Sequence, residues 1–544
     1  MSKVFLPRTD FPIRAQLPER EPDTLAYWRE IDLYRRRAAM AGEPFVLHDG
    51  PPYANGNIHL GHALNKILKD FVVRTRFLLG HSVAFTPGWD CHGLPIEWEV
   101  EKAFRAEKRD KNAEPEAFRQ ACRNFAGDWV STQSEQFQRL GVLADWDNPY
   151  RTMDFATEAK IVETFHTMVE RNLVYRARRP VLWSSVERTA MASAETEDQD
   201  HQVPTTWFVF PIVSTREAAQ VFGGPAFMLV WTTTPWSLPG NMALAVNTGL
   251  SYGLYDLDGF PTVMADFAAA QFPQAERKMD VDPAFLLECR AISPLDSDKR
   301  VPIYHADYVT SGKGSGIVHV GPASSVEDWR LWTSHNPVET VPEFIGPDGR
   351  YAADLPRFGG MTVVKNKGFG EANDEIIKVL GDYLIRVDQQ TMKLKHSWRS
   401  KGLLIENATP QWFVRVEDAF KADLDGVSFI PEQARNRFES KLSGRPDWLV
   451  SRQRMWGTPL ALFQNTNGEP LVDPAVNKRI QNAIEKHGIG AWFNLPKEDF
   501  LGDNDPDIWT KVEDVLDVWF DSGCVHQFSD YEQADLYLEG SDQH

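Results

Sequence analysis

The chain has 544 residues, 42% hydrophobic and 25% charged. This balance excludes disordered and fibrous classes and, at roughly 100–200 residues per domain, predicts three or four domains. Its net charge of −19, from 58 Lys and Arg against 77 Asp and Glu, argues against indiscriminate nucleic-acid binding but allows local basic patches.

Two such patches are RARRP (176–180) and the stretch from Arg435 to Arg454. The opening residues contain no apolar h-region, and 18 consecutive apolar residues occur nowhere, which argues against secretion and membrane spanning. Cys91, Cys122, Cys289 and Cys524 lie far apart. They offer neither a disulfide framework nor a CxxC knuckle and suit free thiols in a reducing cytoplasm.

Three textures follow one another: 1–180, where helical patterns alternate with short apolar segments; 181–400, rich in strand-like runs; and 401–544, rich in Trp and Arg. In the first, PFVLHDGPPYANGNIHLGHALNKILKDFVVRTRFLLG reads as strand, Gly/Pro/Asn loop and helix. Leu64, Ile67, Leu68, Phe71 and Val72 recur at i, i+3, i+4, i+7 and i+8, predicting one buried stripe, with Gly80 placed as a C-terminal cap. His59 and His62 begin that helix three residues apart, so they share a face where unpaired N–H groups and the helix dipole favour an anion. Gly61 between them leaves room for a flat ligand. A second amphipathic helix is predicted over 157–174. The runs TWFVFPIVS, AFMLVWTTT and GSGIVHVG predict strands of a separate β-rich domain, and the last texture ends in LDVWFDSG and ADLYLEGSDQH, where apolar runs meet polar residues.

HLGH after GPPYANGN resembles the first signature of the class I aminoacyl-tRNA synthetases. PGWDCHGLPIE (87–97), RPDWLVSRQRMWG (445–457), LDVWFDSG (516–523) and LYLEGSDQH (536–544) resemble, in that order, the isoleucyl branch more than its valyl, leucyl or methionyl relatives. The resemblance implies an α/β fold, a Rossmann-type nucleotide-binding domain interrupted by an inserted β-rich editing domain. It implies ATP-dependent activation of L-isoleucine, with Mg2+ accompanying the ATP, and transfer to tRNA(Ile) by a cytoplasmic monomer. By the same resemblance His59 and His62 contact ATP phosphates, Gly61 lies against the adenine, and Gly56 and Asn57 belong to the approach loop. Asp90 holds the substrate ammonium, Pro51 and Trp456 shape the aliphatic pocket, and Glu539 and Gln543 contact the aminoacyl-adenylate.

One methylene in a hydrophobic pocket is worth only about 1–3 kcal/mol, so binding alone cannot exclude valine; the isoleucine–valine pair is the standard illustration of this limit. WTTTPWSLPGN (231–241) and GSGIVHVGPASSVEDW (314–329) resemble editing-domain segments of the family. The resemblance gives Thr232, Thr233 and Thr234 the orientation of substrate and water, places Asn241 on the same segment, and gives His319 the terminal adenosine and Asp328 the misattached amino group. The loop Ser324–Trp329 departs from the family's usual Gly-His-Gly-type loop and Asp-Asp-Tyr. Where some relatives carry paired CxxC ligands, this chain has Ser184 with Glu187 and Ser397 with Ser400, so no zinc is expected in this portion.

No KMSKS occurs in the 544 residues. The expectation is a chain that stops within the second Rossmann half, short of the anticodon-binding domain and terminal zinc module, with weak adenylate formation on its own. Two other readings stay open: a remnant acting only as a Val-tRNA deacylase, and a tRNA-binding paralogue.

Overall fold

The computed structural model describes residues 10, 14–416, 424, 426–443, 445–529, 531 and 533–540. The chain forms two compact units, Met1–Tyr175 with Val414–His544, and Arg176–Phe413. The sequence-based limit at 180 falls inside the strand Val174–Ser184, and the strand Leu404–Val414 begins after the limit at 400.

The first unit contains a parallel sheet of Ser82–Ala84, Pro44–His48 and Leu536–Tyr537, in that order. Parallel neighbours cannot be joined by a tight turn. The helix Leu60–Leu78 supplies the crossover between Pro44–His48 and Ser82–Ala84. Phe45 and Leu47 alternate inward from the strand and pack with Val73, Phe77, Val83 and Phe85.

The buried stripe expected on that helix is not the one observed. Leu64, Leu68 and Phe71 are 61%, 40% and 60% exposed, whereas Lys66, Lys69, Asp70, Val73 and Phe77 face inward. The physical reason is ionic compensation. Lys69 Nζ lies 2.6 Å from Asp49 Oδ1 and 2.5 Å from Glu539 Oε1, and Lys66 pairs with the other oxygen of Asp49. Buried charges are tolerated when paired in this way. Periodicity of apolar residues carries no information about such pairing.

A second core gathers Trp89, Ile96, Val100, Phe104, Phe118, Phe137, Met153 and Trp456 around the helices Leu94–Ala106 and Pro115–Arg139. The amphipathic segment expected over 157–174 is the helix Phe155–Glu170; it ends early because Val174 already begins a strand. Its Val162 packs with Ile480 and Ile484 of the helix Pro474–His487.

The second unit is β-rich. One antiparallel-dominated sheet runs Glu276–Val281, Tyr252–Leu257, Phe260–Ala265, Phe227–Thr232, Thr196–Pro211, Leu384–Ser397; another runs Arg290–Ser293, Asp296–His305, Ala243–Val246, Ile317–Val320. The expected runs coincide with strands in this unit. Val203 and Thr205–Phe210 are buried on both faces, as the near-continuous apolar run requires. Core side chains from both sheets, among them Phe208, Val230, Leu244 and Ile303, form one cluster. Among the described residues no helix is long and apolar enough to cross a membrane.

Candidate functional site

In the first unit the Gly/Pro/Asn loop hangs between the strand Pro44–His48 and the helix Leu60–Leu78. Two amides on the helix Pro115–Arg139 fix it. Gln133 Nε2 donates to the carbonyls of Tyr53 (2.9 Å) and Gly56 (2.7 Å), while Gln136 receives Ile58 N–H (2.9 Å) and donates to Asn57 Oδ1 (2.6 Å). Sequence reasoning missed both glutamines; their only signal is an i, i+3 pair on one long helix.

His59 is the N-cap of the following helix. Its Nδ1 accepts from His62 N–H, and His62 Nδ1 reciprocates toward His59 N–H. The two rings stack with centroids 3.7 Å apart. A side chain at Gly61 would meet the His59 ring at 2.9 Å, so glycine there preserves the stack. Burial, aided by His59 and Lys66, lowers His62 to about 4. It is therefore a neutral imidazole at neutral pH, beside open helix N–H groups that suit an anion.

Asp90 follows the short strand Gly88–Trp89, and its backbone is locked to the loop by Asp90 N–H to Pro52 O (3.0 Å) and Ala54 N–H to Asp90 O (2.9 Å). The side chain is 6% exposed, and its Oδ1 is buried with no hydrogen-bond partner. Burial, then the nearby Asp521 carboxylate, raises its pKa well above the usual range, with His92 and a Ser522 hydrogen bond opposing them. An unsatisfied buried carboxylate oxygen is costly, and a cationic group is what it lacks.

His92 lies close by, its Nδ1 2.7 Å from Asp521 Oδ2 and its Nε2 3.4 Å from Glu158 Oε1. The hydrogen bond to Asp521 and the charges of both carboxylates outweigh burial and raise His92 to about 9. It is an imidazolium at neutral pH. Arg123 neutralises Glu158 at 2.6 Å, and Glu158 also receives Ile489 N–H at 2.9 Å. Trp456 packs edge-on to His92 at 4.9 Å and donates its Nε1–H to Cys91 O (2.8 Å). At 1% exposure it stands as a wall behind this cluster. Pro51 is half-buried in the loop.

Glu539, expected beside the adenylate, is held in the buried ion network. Its oxygens receive Gly50 N–H (2.8 Å), Asn65 Nδ2 (3.0 Å) and Lys69 Nζ (2.5 Å). Gln543 lies outside the described residues. The two lysines shift in opposite senses. Burial takes Lys66 down to about 8, whereas the two carboxylates hold Lys69 above its usual value, because Lys66 has one close carboxylate and a cationic neighbour.

The second unit carries its own polar cluster. Thr232 Oγ1 lies 3.1 Å from His319 Nε2 and 3.3 Å from Thr234 Oγ1, and Ser237 Oγ approaches both Thr234 (3.2 Å) and His319 (3.3 Å). Thr233 is half-buried and makes none of these bonds. His319 is buried, which lowers it to about 4, and its Nδ1 has no partner. Asn241 anchors through Nδ2 to Ala243 O (2.7 Å), leaving Oδ1 buried without a partner. Asp328, in the first turn of the helix Val326–His335, accepts Tyr308 O–H at 2.8 Å and Gly321 N–H at 2.8 Å. Burial nonetheless raises it to about 6. Tyr308 and Ser237 were not legible from the sequence.

Ser184, Glu187 and Ser397 do meet. Ser397 Oγ donates to Glu187 Oε1 at 2.5 Å, Ser184 Oγ donates to Oε2, and Ser400 N–H reaches Ser397 Oγ at 3.4 Å. Among the described residues no group of three His, Cys, Asp or Glu is placed to hold a metal.

Residues 23–544 match the family described as tRNA synthetases class I (I, L, M and V). The chain is 45% identical to an isoleucine–tRNA ligase of Caulobacter vibrioides over 99% of its own length and 61% of that relative's. It is 40% identical to one of Pelagibacter ubique over 100% of its own length and 63% of the other. The chain thus spans about three-fifths of the curated relatives it matches. A solved Agrobacterium radiobacter K84 LeuRS–tRNA–LeuAMS complex overlaps 95% of this chain and 60% of that one, with 14% identity and a TM-score of 0.38.

Proposed function

The chain belongs to the class I tRNA synthetases, and from that premise we propose that it serves an isoleucine–tRNA ligase, forming isoleucyl-AMP from L-isoleucine and ATP and passing the acyl group to tRNA(Ile). The observation that carries the reading is Asp90 Oδ1, a buried carboxylate oxygen without a partner beside the His59–His62 helix start's own loop. The α-ammonium of the amino acid satisfies it. The amino acid carboxylate then attacks the α-phosphorus, forming the acyl–phosphate bond while the bond to pyrophosphate breaks. The protein's part is positioning and phosphate stabilisation.

His59 and neutral His62 would hold ATP through ring N–H groups, aided by the open helix N-terminus, and Mg2+ would enter with the triphosphate it screens. Gln133 and Gln136 keep the loop of Gly56 and Asn57 in place for that encounter. Pro51 and Trp456 line or back the aliphatic side of the site, and Glu539 fixes the loop at Gly50. The Ser184–Glu187–Ser397 cluster offers hydroxyls and one carboxylate where zinc would require thiolates or imidazoles, so zinc does not fit there. We place the protein in the cytoplasm as a monomer.

In the second unit we propose hydrolytic editing of Val-tRNA(Ile). Asp328 would receive the amino group of the misattached valine, and Thr232, Thr234 and His319 would orient the ester and a water, with Thr233 and Asn241 completing the wall. The reading is tested by calorimetric titration of L-isoleucine, L-valine and L-leucine into the purified 544-residue chain. Isoleucine should bind most tightly and Asp90→Ala should abolish the heat; equal affinity for leucine would remove the assignment.

A further inference from the structure

Asp521 is buried to 1% on the short helix Val518–Gly523. Its Oδ2 is fully committed, to His92 Nδ1 at 2.7 Å and to Thr458 Oγ1 at 3.2 Å. Its Oδ1 is buried and has no partner. Asp90 Oδ1 is in the same condition. The two carboxylates belong to one cluster: Asp90 stands two residues before His92, whose Nδ1 lies 2.7 Å from Asp521 Oδ2, and Asp521 is the charge that most raises Asp90.

In this buried cluster the His92 imidazolium is paired with Asp521 and Arg123 with Glu158, whereas Asp90 Oδ1 has no partner. An unpaired polar oxygen excluded from water costs free energy, and two in one cluster cost more. An ammonium has three N–H donors, enough for both free oxygens at once.

We propose that Asp521 Oδ1 is a second direct ligand of the substrate α-ammonium, sharing it with Asp90 Oδ1, and that His92 and Thr458 are positioning residues that hold Asp521 with that oxygen turned toward the ligand. The geometry explains why Oδ2 is doubly bonded and Oδ1 is left open. It also gives a selection rule: des-amino analogues leave two buried carboxylate oxygens unpaired. This rests on the isoleucine-binding reading above.

The test is calorimetric titration of L-isoleucine and of its des-amino analogue 3-methylpentanoate into the wild-type chain and Asp521→Asn. Isoleucine should weaken by about 10- to 100-fold in the variant, the range for losing a hydrogen bond to a charged group. 3-Methylpentanoate should bind equally weakly to both, a pattern that general misfolding does not produce. A crystal structure of the wild-type chain with isoleucine provides a readout independent of the variant's folding. It should place the ligand nitrogen within about 3.2 Å of both Oδ1 atoms. Unchanged isoleucine affinity in Asp521→Asn, or a ligand nitrogen contacting Asp90 alone, overturns the role of Asp521 while leaving the isoleucine reading intact. Absence of isoleucine binding to wild type overturns both.

Discussion

Replacing Lys69 by methionine is expected to remove about 3–5 kcal/mol of stability, the largest single loss in the first unit. Lys69 is fully buried and neutralises Asp49 and Glu539 together. Without it, Lys66 remains beside Asp49, but Glu539 keeps only neutral donors, Gly50 N–H and Asn65 Nδ2. A carboxylate buried without its cation is among the few causes of so large an effect. Because Glu539 holds Gly50 at the root of the loop, the substitution should also loosen the segment that carries Asn57 and leads into His59. Chemical denaturation should show a lower midpoint for Lys69→Met. An exposed-pair control, Lys102→Met, which removes a contact to Glu99 with both side chains about half exposed, should lie within about 1 kcal/mol of wild type. Equal stability of the two variants would mean that the buried network contributes little.

Asp328→Ala is expected to slow hydrolysis of Val-tRNA(Ile) by about 10- to 100-fold, through loss of a charge-assisted hydrogen bond to the valyl ammonium. The pH dependence gives this prediction its sign. Burial raises Asp328 to about 6, so the carboxylate is charged above that pH and neutral below it. Hydrolysis by the wild type should fall as pH drops through about 6. His319, held near 4, stays neutral across the same window and contributes no competing change. Single-turnover deacylation between pH 5 and 8 should therefore show an inflection that Asp328→Ala lacks. An inflection that persists in the variant would assign the titration elsewhere.

The contrast between Leu64 and Lys69 shows where the sequence could be read and where it could not. The helix itself was legible, from its periodicity and from the glycine after its end. Its orientation was not, because the face was decided by Asp49, twenty residues upstream of Lys69, and by Glu539, far away in the chain. Apolar spacing ranks Phe71 as core and lysine as surface, yet two carboxylates reversed that order for Lys66 and Lys69. In the same way Asp90 was legible as a candidate because a motif surrounds it. Asp521 carries no such signal although it stands inside LDVWFDSG, since only three-dimensional contacts reveal that one of its oxygens is tied to His92 and Thr458 and the other is without a partner. Thr232, which the sequence groups with Thr233 and Thr234, lies within hydrogen-bond distance of Thr234 and of His319, a residue of the other segment with a separate expected role. Tyr308, which supports Asp328, sits outside both quoted segments and carries no local signal.

The most direct test of the account is isoleucine-dependent exchange of pyrophosphate into ATP by the protein purified from its source. Exchange that requires L-isoleucine, proceeds less efficiently with L-valine and disappears in Asp90→Ala is the predicted result. Exchange independent of isoleucine, or supported equally by leucine, would contradict the assignment of the Asp90 site.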